Sequence, residues 1–276
     1  MNTEFTPQNL TKALVEKFSK SEEIYLVATF GSAISNEIDI YSDIDMIICS
    51  NDMATTYGHY RDTIESISPI TAVSSFYYDK PNVISEVIYL KDYKPYQKID
   101  LTIIPYLGYL SEFNPNVFVL YENQVIDRTL KRGIVHKNKP VETLDTWTTN
   151  YMSLVIGFVK TYKRQNMEMY RYWELIKDAM IVLMFEKYNG WSKQYDRPRL
   201  SSSEFKDLFY RKINKNEFDL LTQALPQSGV LDVKHSFLVS FFLFSELLTI
   251  KSNFLKEYVN LEFLDYIRNF LQTELK

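Results

Sequence analysis

Residues 24–49 read Ile-Tyr-Leu-Val-Ala-Thr-Phe-Gly-Ser-Ala-Ile-Ser-Asn-Glu-Ile-Asp-Ile-Tyr-Ser-Asp-Ile-Asp-Met-Ile-Ile-Cys, and the fold of the chain turns on how they are read. An apolar run rich in β-branched and aromatic residues, Ile24 to Phe30, stops at Gly31-Ser32. After a spacer of ten residues, Asp43-Ile44-Asp45 opens a second run, Met46-Ile47-Ile48-Cys49. Short apolar runs closed by turn residues predict buried strands. Alternation along a strand puts Asp43 and Asp45 on one face and Ile44 on the other. Two neighbouring carboxylates on an otherwise apolar strand are costly unless a positive group sits between them, and a divalent metal answers that need.

Around this pair of strands the pattern is mixed. Thr6-Pro7 followed by Leu10, Leu14, Val15 and Phe18 predicts a capped amphipathic helix. Ser50-Asn51-Asp52 is a capping signal for a helix over about 53–67, and 72–78, 83–90 and 97–104 read as strands, with 79–82 as a turn. The last of them, Lys98-Ile99-Asp100-Leu101-Thr102-Ile103-Ile104-Pro105, carries a lone acid among aliphatic residues. Taken alone, Asp100 reads as an edge-strand residue facing water or as a partner for Lys98. Taken with Asp43 and Asp45, it completes an oxygen cage of the kind Mg²⁺ prefers.

Residues 105–145 are irregular, punctuated by Pro105, Gly108, Pro115, Gly133 and Pro140, with one short strand expected at 117–121. Beyond them the character is helical. Asp145 or Thr146 is placed to cap a first long helix, and a second runs from about 168 to 188 and closes at Asn189-Gly190. Residues 192–203 read as a loop holding Arg197 and Arg199; shorter helices follow near 203–211 and 215–224, then a long one from Asp232 and a last one over 260–274. The expected fold is α+β: an N-terminal domain, 1–143, with a mixed sheet flanked by helices, then an all-helical domain, 144–276.

With 31 basic and 35 acidic residues the chain carries a formal charge of −4, which argues against gripping nucleic acid and suits a cationic small-molecule partner. The single cysteine, Cys49, excludes an intrachain disulfide framework or thiolate zinc cluster and reads as a small apolar strand residue. The N-terminus shows no secretory pattern, and Phe237–Ile250, interrupted by Ser240, Ser245 and Glu246, reads as a buried helix, so a cytoplasmic protein without a membrane span is expected. His59, His136 and His235 have no metal-ligand spacing and receive no role.

Gly31-Ser32, the ten-residue spacer, Asp43-Ile44-Asp45 and the later Asp100 together resemble the signature of the DNA polymerase β-type nucleotidyltransferase superfamily. Within it, Lys98 to Pro105 followed by a helical half looks like the aminoglycoside 6-adenylyltransferases, with the lincosamide nucleotidyltransferases a more distant likeness. The specific match covers about 20–105. The resemblance implies two Mg²⁺ ions held by Asp43, Asp45 and Asp100, with ATP as co-substrate and a hydroxyl of a small cationic acceptor, such as an aminoglycoside, receiving AMP. Asp100 would be either a ligand of the second ion or the general base. Gly31 would let the backbone approach a phosphate, and Ser32 would offer its N–H and hydroxyl to it. Lys160 resembles a lysine of related antibiotic nucleotidyltransferases, although Lys160, Lys163 and Arg164 read more readily as a solvated charged face. Glu174 and Asp178, at i and i+4, would bind a cationic acceptor or simply pair with Arg171 and Lys177. Aromatic side chains at Tyr170, Tyr172 and Trp173 read as core. The other readings are a protein, an RNA end or a metabolite as acceptor, or a non-catalytic nucleotide-binding module.

Overall fold

The computed structural model describes residues 6–31, 39–76, 80–110, 117–134, 142–193, 195, 200–224 and 232–275. The chain divides into two compact units, Met1–Val141 and Glu142–Lys276.

In the first unit α1 (Pro7–Phe18) and α2 (Met53–Glu65) accompany six strands: β1 (Ile24–Thr29), β2 (Ile44–Ser50), β3 (Ile70–Phe76), β4 (Ile84–Leu90), β5 (Ile99–Ile104) and β6 (Phe118–Glu122). Among the described residues they form one sheet in the order β3-β4-β5-β2-β1-β6. The β2–β5 pair is parallel and the other neighbours are antiparallel, so the sheet is mixed as expected. A parallel pair cannot be joined by a hairpin; here α2 and the β3–β4 hairpin lie between β2 and β5 in the chain.

Both helices start as their sequences predict. Thr6 accepts from the Asn9 N–H ahead of Pro7, and Asp52 accepts from Thr55. Leu10, Leu14 and Phe18 of α1 and Met53, Tyr60 and Ile64 of α2 join Met46, Ile48, Leu101 and Ile103 in the core on one sheet face. Each such fully buried side chain contributes about 1.5–3 kcal/mol. Ile47, Cys49 and Ile104 alternate onto the other face, in a smaller cluster with Tyr25, Leu26 and Ala28. Cys49 is buried there, as a small apolar residue.

Several boundaries move. The fifth strand starts at Ile99 rather than residue 97, because Pro95–Gln97 forms a 3-10 turn whose Gln97 side chain accepts from the Lys94 N–H. Residues 107–110, within the irregular region, form another 3-10 turn. The expected strand end at residues 77–78, the Asp79 turn position, His136 and the Arg197–Arg199 loop residues lie outside the described residues.

The second unit is all helical: α3 (Leu144–Lys163), α4 (Met169–Asn189), α5 (Ser202–Asp207), α6 (Lys215–Ala224), α7 (Val233–Leu255) and α8 (Leu261–Glu274). α3 is capped by Thr143 rather than by Asp145 or Thr146, in a reciprocal pair with Thr146. Asp145 instead accepts from the Asn260 N–H at the start of α8, at 2.7 Å. α7 packs most heavily on α4. By length and composition α7 could cross a membrane, being longer than the 14-residue apolar window read in the sequence, but 56% of its most apolar window is buried within the unit. Its Lys251 is 2% exposed and pairs with Glu186 of α4 at 2.7 Å, an arrangement of a helix in a protein core.

Candidate active site

The acids owe their placement to two turns and one strand pairing. Before β2, Asp39 accepts from the N–H of Tyr41 at 2.9 Å and from the Ser42 hydroxyl at 3.0 Å, closing a tight Asx turn that delivers the chain to Asp43. Before β5, Tyr96 is buried against Tyr41, ring centroids 5.2 Å apart, which ties the entry of β5 to the entry of β2. The strands then pair with Ile44 opposite Ile99 and Asp45 opposite Asp100. One residue before this register stand Asp43 and Lys98, and the Ile44 N–H donates to the Lys98 carbonyl at 2.9 Å. Alternation therefore puts Asp43, Asp45, Lys98 and Asp100 on one face, opposite the core formed with α1 and α2.

The open reading of Asp100 is now decided on two counts. β5 is an interior strand, so Asp100 is not an edge residue, and Lys98 is its partner. The Lys98 ammonium lies 2.5 Å from both Asp100 oxygens and 3.2 Å from Asp43 Oδ2. Burial by itself would lower the lysine, but the charges of Asp100 and Asp43 more than offset it and hold the ammonium above its ordinary value.

Gly31 closes the other side. Its φ is +66°, a conformation that glycine adopts without strain, and a Cβ built there would stand 2.2 Å from Asp45 Oδ2. The Thr29 hydroxyl and the Phe30 N–H both donate to the Asp45 carbonyl, at 2.7 and 3.4 Å, so the end of β1 is folded over this acid. Ser32, the expected companion of Gly31, lies outside the described residues.

Asp45 and Asp100 open onto a cavity of about 250 Å³, lined also by Phe30, Phe76, Ser85, Glu86, Val87 and Thr102. Ser85 and Thr102 are register partners, and their hydroxyls belong to the same face as Asp100. Phe76, at the end of β3, is half exposed beside them. Glu86 belongs to the other face: it is 5% exposed and held by Arg61 at 2.5 Å and by the Ser75 hydroxyl at 2.9 Å. Sequence reading missed Lys98 as a member of the site, and missed Phe76, Ser85 and Thr102 altogether. The i, i+2 spacing of Lys98 and Asp100 was the available signal; the others needed the β4–β5 register.

The donor chemistry fits a hard divalent cation, since all three acids offer carboxylate oxygens. Among the described residues, however, no three Asp, Glu, His or Cys side chains are grouped as a metal cluster. Asp43 and Asp100 close on Lys98, while Asp45 sits beneath Gly31.

The remaining expected site residues are in the helical unit. Lys160 is part-buried in the last turn of α3. Glu174 is exposed on α4, and Asp178 is approached by Lys177 at 3.9 Å, the pairing that its sequence context allowed. Lys177 also lies 5.0 Å from the centroid of the buried Trp173 ring. Burial and the charges of Asp178 and Glu142 push the Tyr151 hydroxyl up to about 12.

No protein-family model matches the chain, and no curated protein matches it. Among solved structures, the chain is similar to an aminoglycoside 6-adenyltransferase from Bacillus subtilis, at 15% identity and a TM-score of 0.33, over 96% of this chain and 98% of that one. A likeness of that strength leaves the functional reading to the geometry of the site.

Proposed function

We propose that the protein is a nucleotidyltransferase that moves AMP from ATP to a hydroxyl of a small, cationic acceptor. The observation that carries this reading is the placement of Asp45 opposite Asp100 on adjacent parallel strands, both lining one cavity, with Asp43 on the same face and Gly31 turned over Asp45.

In this reading Asp43, Asp45 and Asp100 would hold Mg²⁺, which would supply charge neutralisation to the transferring group. Gly31 and Ser32 would offer backbone N–H groups to the triphosphate, and a side chain at 31 would press on Asp45. The acceptor oxygen forms a bond to the α-phosphorus as the bond from that phosphorus to the bridging oxygen breaks, and pyrophosphate leaves. Asp100 would either take the acceptor proton or share in holding the cation. Phe30 and Phe76 offer apolar walls to the nucleotide. Lys160, Glu174 and Asp178 remain candidates for phosphate and acceptor contacts, with an aminoglycoside as the acceptor class that the formal charge of −4 suits. A cytoplasmic setting belongs to the same proposal.

The test is incubation with ATP labelled at the α-phosphate, Mg²⁺ and a panel of aminoglycosides and lincosamides, followed by mass analysis. A gain of one AMP on a panel member is the expected result. Label on protein or RNA instead would move the acceptor to a macromolecule, and absence of any Mg²⁺-dependent thermal shift with ATP would overturn the enzymatic reading.

A further inference from the structure

Lys98 has no task in the transfer chemistry just described, yet it stands at the centre of the acids. We propose that Lys98 is a resident counter-charge: its ammonium gathers Asp43 and Asp100 in the nucleotide-free protein and yields its place when a divalent cation arrives with the nucleotide. The proposal rests on the nucleotidyltransferase reading and adds a coupling to it, namely that free metal binds poorly and metal with nucleotide binds well.

The geometry supplies the argument. The ammonium contacts both Asp100 oxygens at 2.5 Å and Asp43 Oδ2 at 3.2 Å, using oxygens that a hard cation would need. Two acids of the cluster are thereby turned to a cation that the protein already owns. Asp45 and Asp100 open onto the cavity, so an ion has a way in. A divalent ion must displace a unit positive charge about 3 Å from its ligands, where repulsion between cations is strong. The side chains of Lys98, Asp43 and Asp100 are 15%, 20% and 30% exposed, so the cluster is not sealed from solvent. Its flexible four-carbon stem allows that movement, and a bound polyphosphate offers the displaced ammonium a new anionic partner. A purely structural salt bridge accounts for the contacts but not for their position on the face that holds Asp45.

Mn²⁺ is the probe, titrated into the full chain with and without an ATP analogue that cannot be cleaved at the α-phosphate, with free Mn²⁺ read by electron paramagnetic resonance. In the wild type the analogue should tighten Mn²⁺ binding. In Lys98→Met, Mn²⁺ alone should bind about tenfold tighter or better, and the effect of the analogue should shrink. Lys98→Arg, which keeps the charge, should behave like the wild type. Lys98→Gln carries the same expectation as Lys98→Met and replaces it if the methionine variant does not fold. Unchanged or weaker Mn²⁺ binding in a folded, neutral variant would overturn the counter-charge role alone. Absence of Mn²⁺ binding in every form, even with the analogue, would overturn the nucleotidyltransferase reading and this proposal with it.

Discussion

Lys98 and Lys251 each meet carboxylates within their own unit, and the two arrangements differ in partners and in access. Lys251 and Glu186 are one positive and one negative group, 2% and 5% exposed, 2.7 Å apart. The aromatic rings of Tyr195 and Trp147 lie 5.0 and 5.8 Å from the ammonium, and the Ser192 hydroxyl satisfies the second glutamate oxygen at 2.6 Å. Both glutamate oxygens are thus met by groups of the protein, and the pair joins α4 to α7. Lys98 instead meets two acids, the three side chains are partly exposed, and Asp100 opens onto a cavity. A sealed pair specifies packing, whereas a cluster open to solvent can exchange its partners for something that arrives.

The sharpest way to break this contrast is to neutralise the open cluster. Asp45→Asn and Asp100→Asn should each lower AMP transfer by about a thousandfold or more, measured on protein shown to be folded. Retained transfer, measured with labelled ATP, would place the chemistry elsewhere. Next in size is the sealed pair. Lys251→Met leaves Glu186 buried without its cation and should cost about 3–5 kcal/mol in urea unfolding, most of it recovered when Glu186→Leu is added. If the single variant is as stable as the wild type, the pair does not specify the helix packing.

Gly31→Ala tests the roof over Asp45. The positive φ alone should cost about 1–3 kcal/mol, and the 2.2 Å approach to Asp45 Oδ2 should displace that carboxylate. Transfer should therefore fall by more than the lost stability explains, as single-turnover rates on folded protein would show. The smallest effect concerns a third pair, Asp52 with Arg132, 2.6 Å apart at the start of α2. Burial would raise the Asp52 carboxyl, but Arg132 and the Thr55 N–H hold it below its ordinary value. The unfolded chain then binds a proton more readily than the folded one. The resulting stability is present above the ordinary carboxylate range and is lost as pH falls through the lower folded value. Asp52→Ala should cost about 1 kcal/mol at neutral pH, and less as the medium is acidified, when unfolding curves are compared between about pH 6 and about pH 3.

Local chemistry made much of this legible. Thr6-Pro7 announced α1, Asp52 announced α2, and period-two alternation was enough to put Asp43 and Asp45 on one face. At α3 the sequence reading chose between Asp145 and Thr146 and passed over Thr143, which is the cap, while Asp145 is drawn to the Asn260 N–H of α8. Glu174 and Asp178 were legible as one helix face, but not what that face would meet.

What the sequence determined by itself was the order of elements, the caps of α1 and α2 and the faces of single strands, because these depend on neighbours a few residues apart. Only the tertiary structure decided that β5 lies parallel beside β2, with Asp100 opposite Asp45, Lys98 between Asp100 and Asp43, and Gly31 over Asp45. Strand neighbours are chosen by burying whole sheet faces against α1 and α2, a long-range energy that no short window contains.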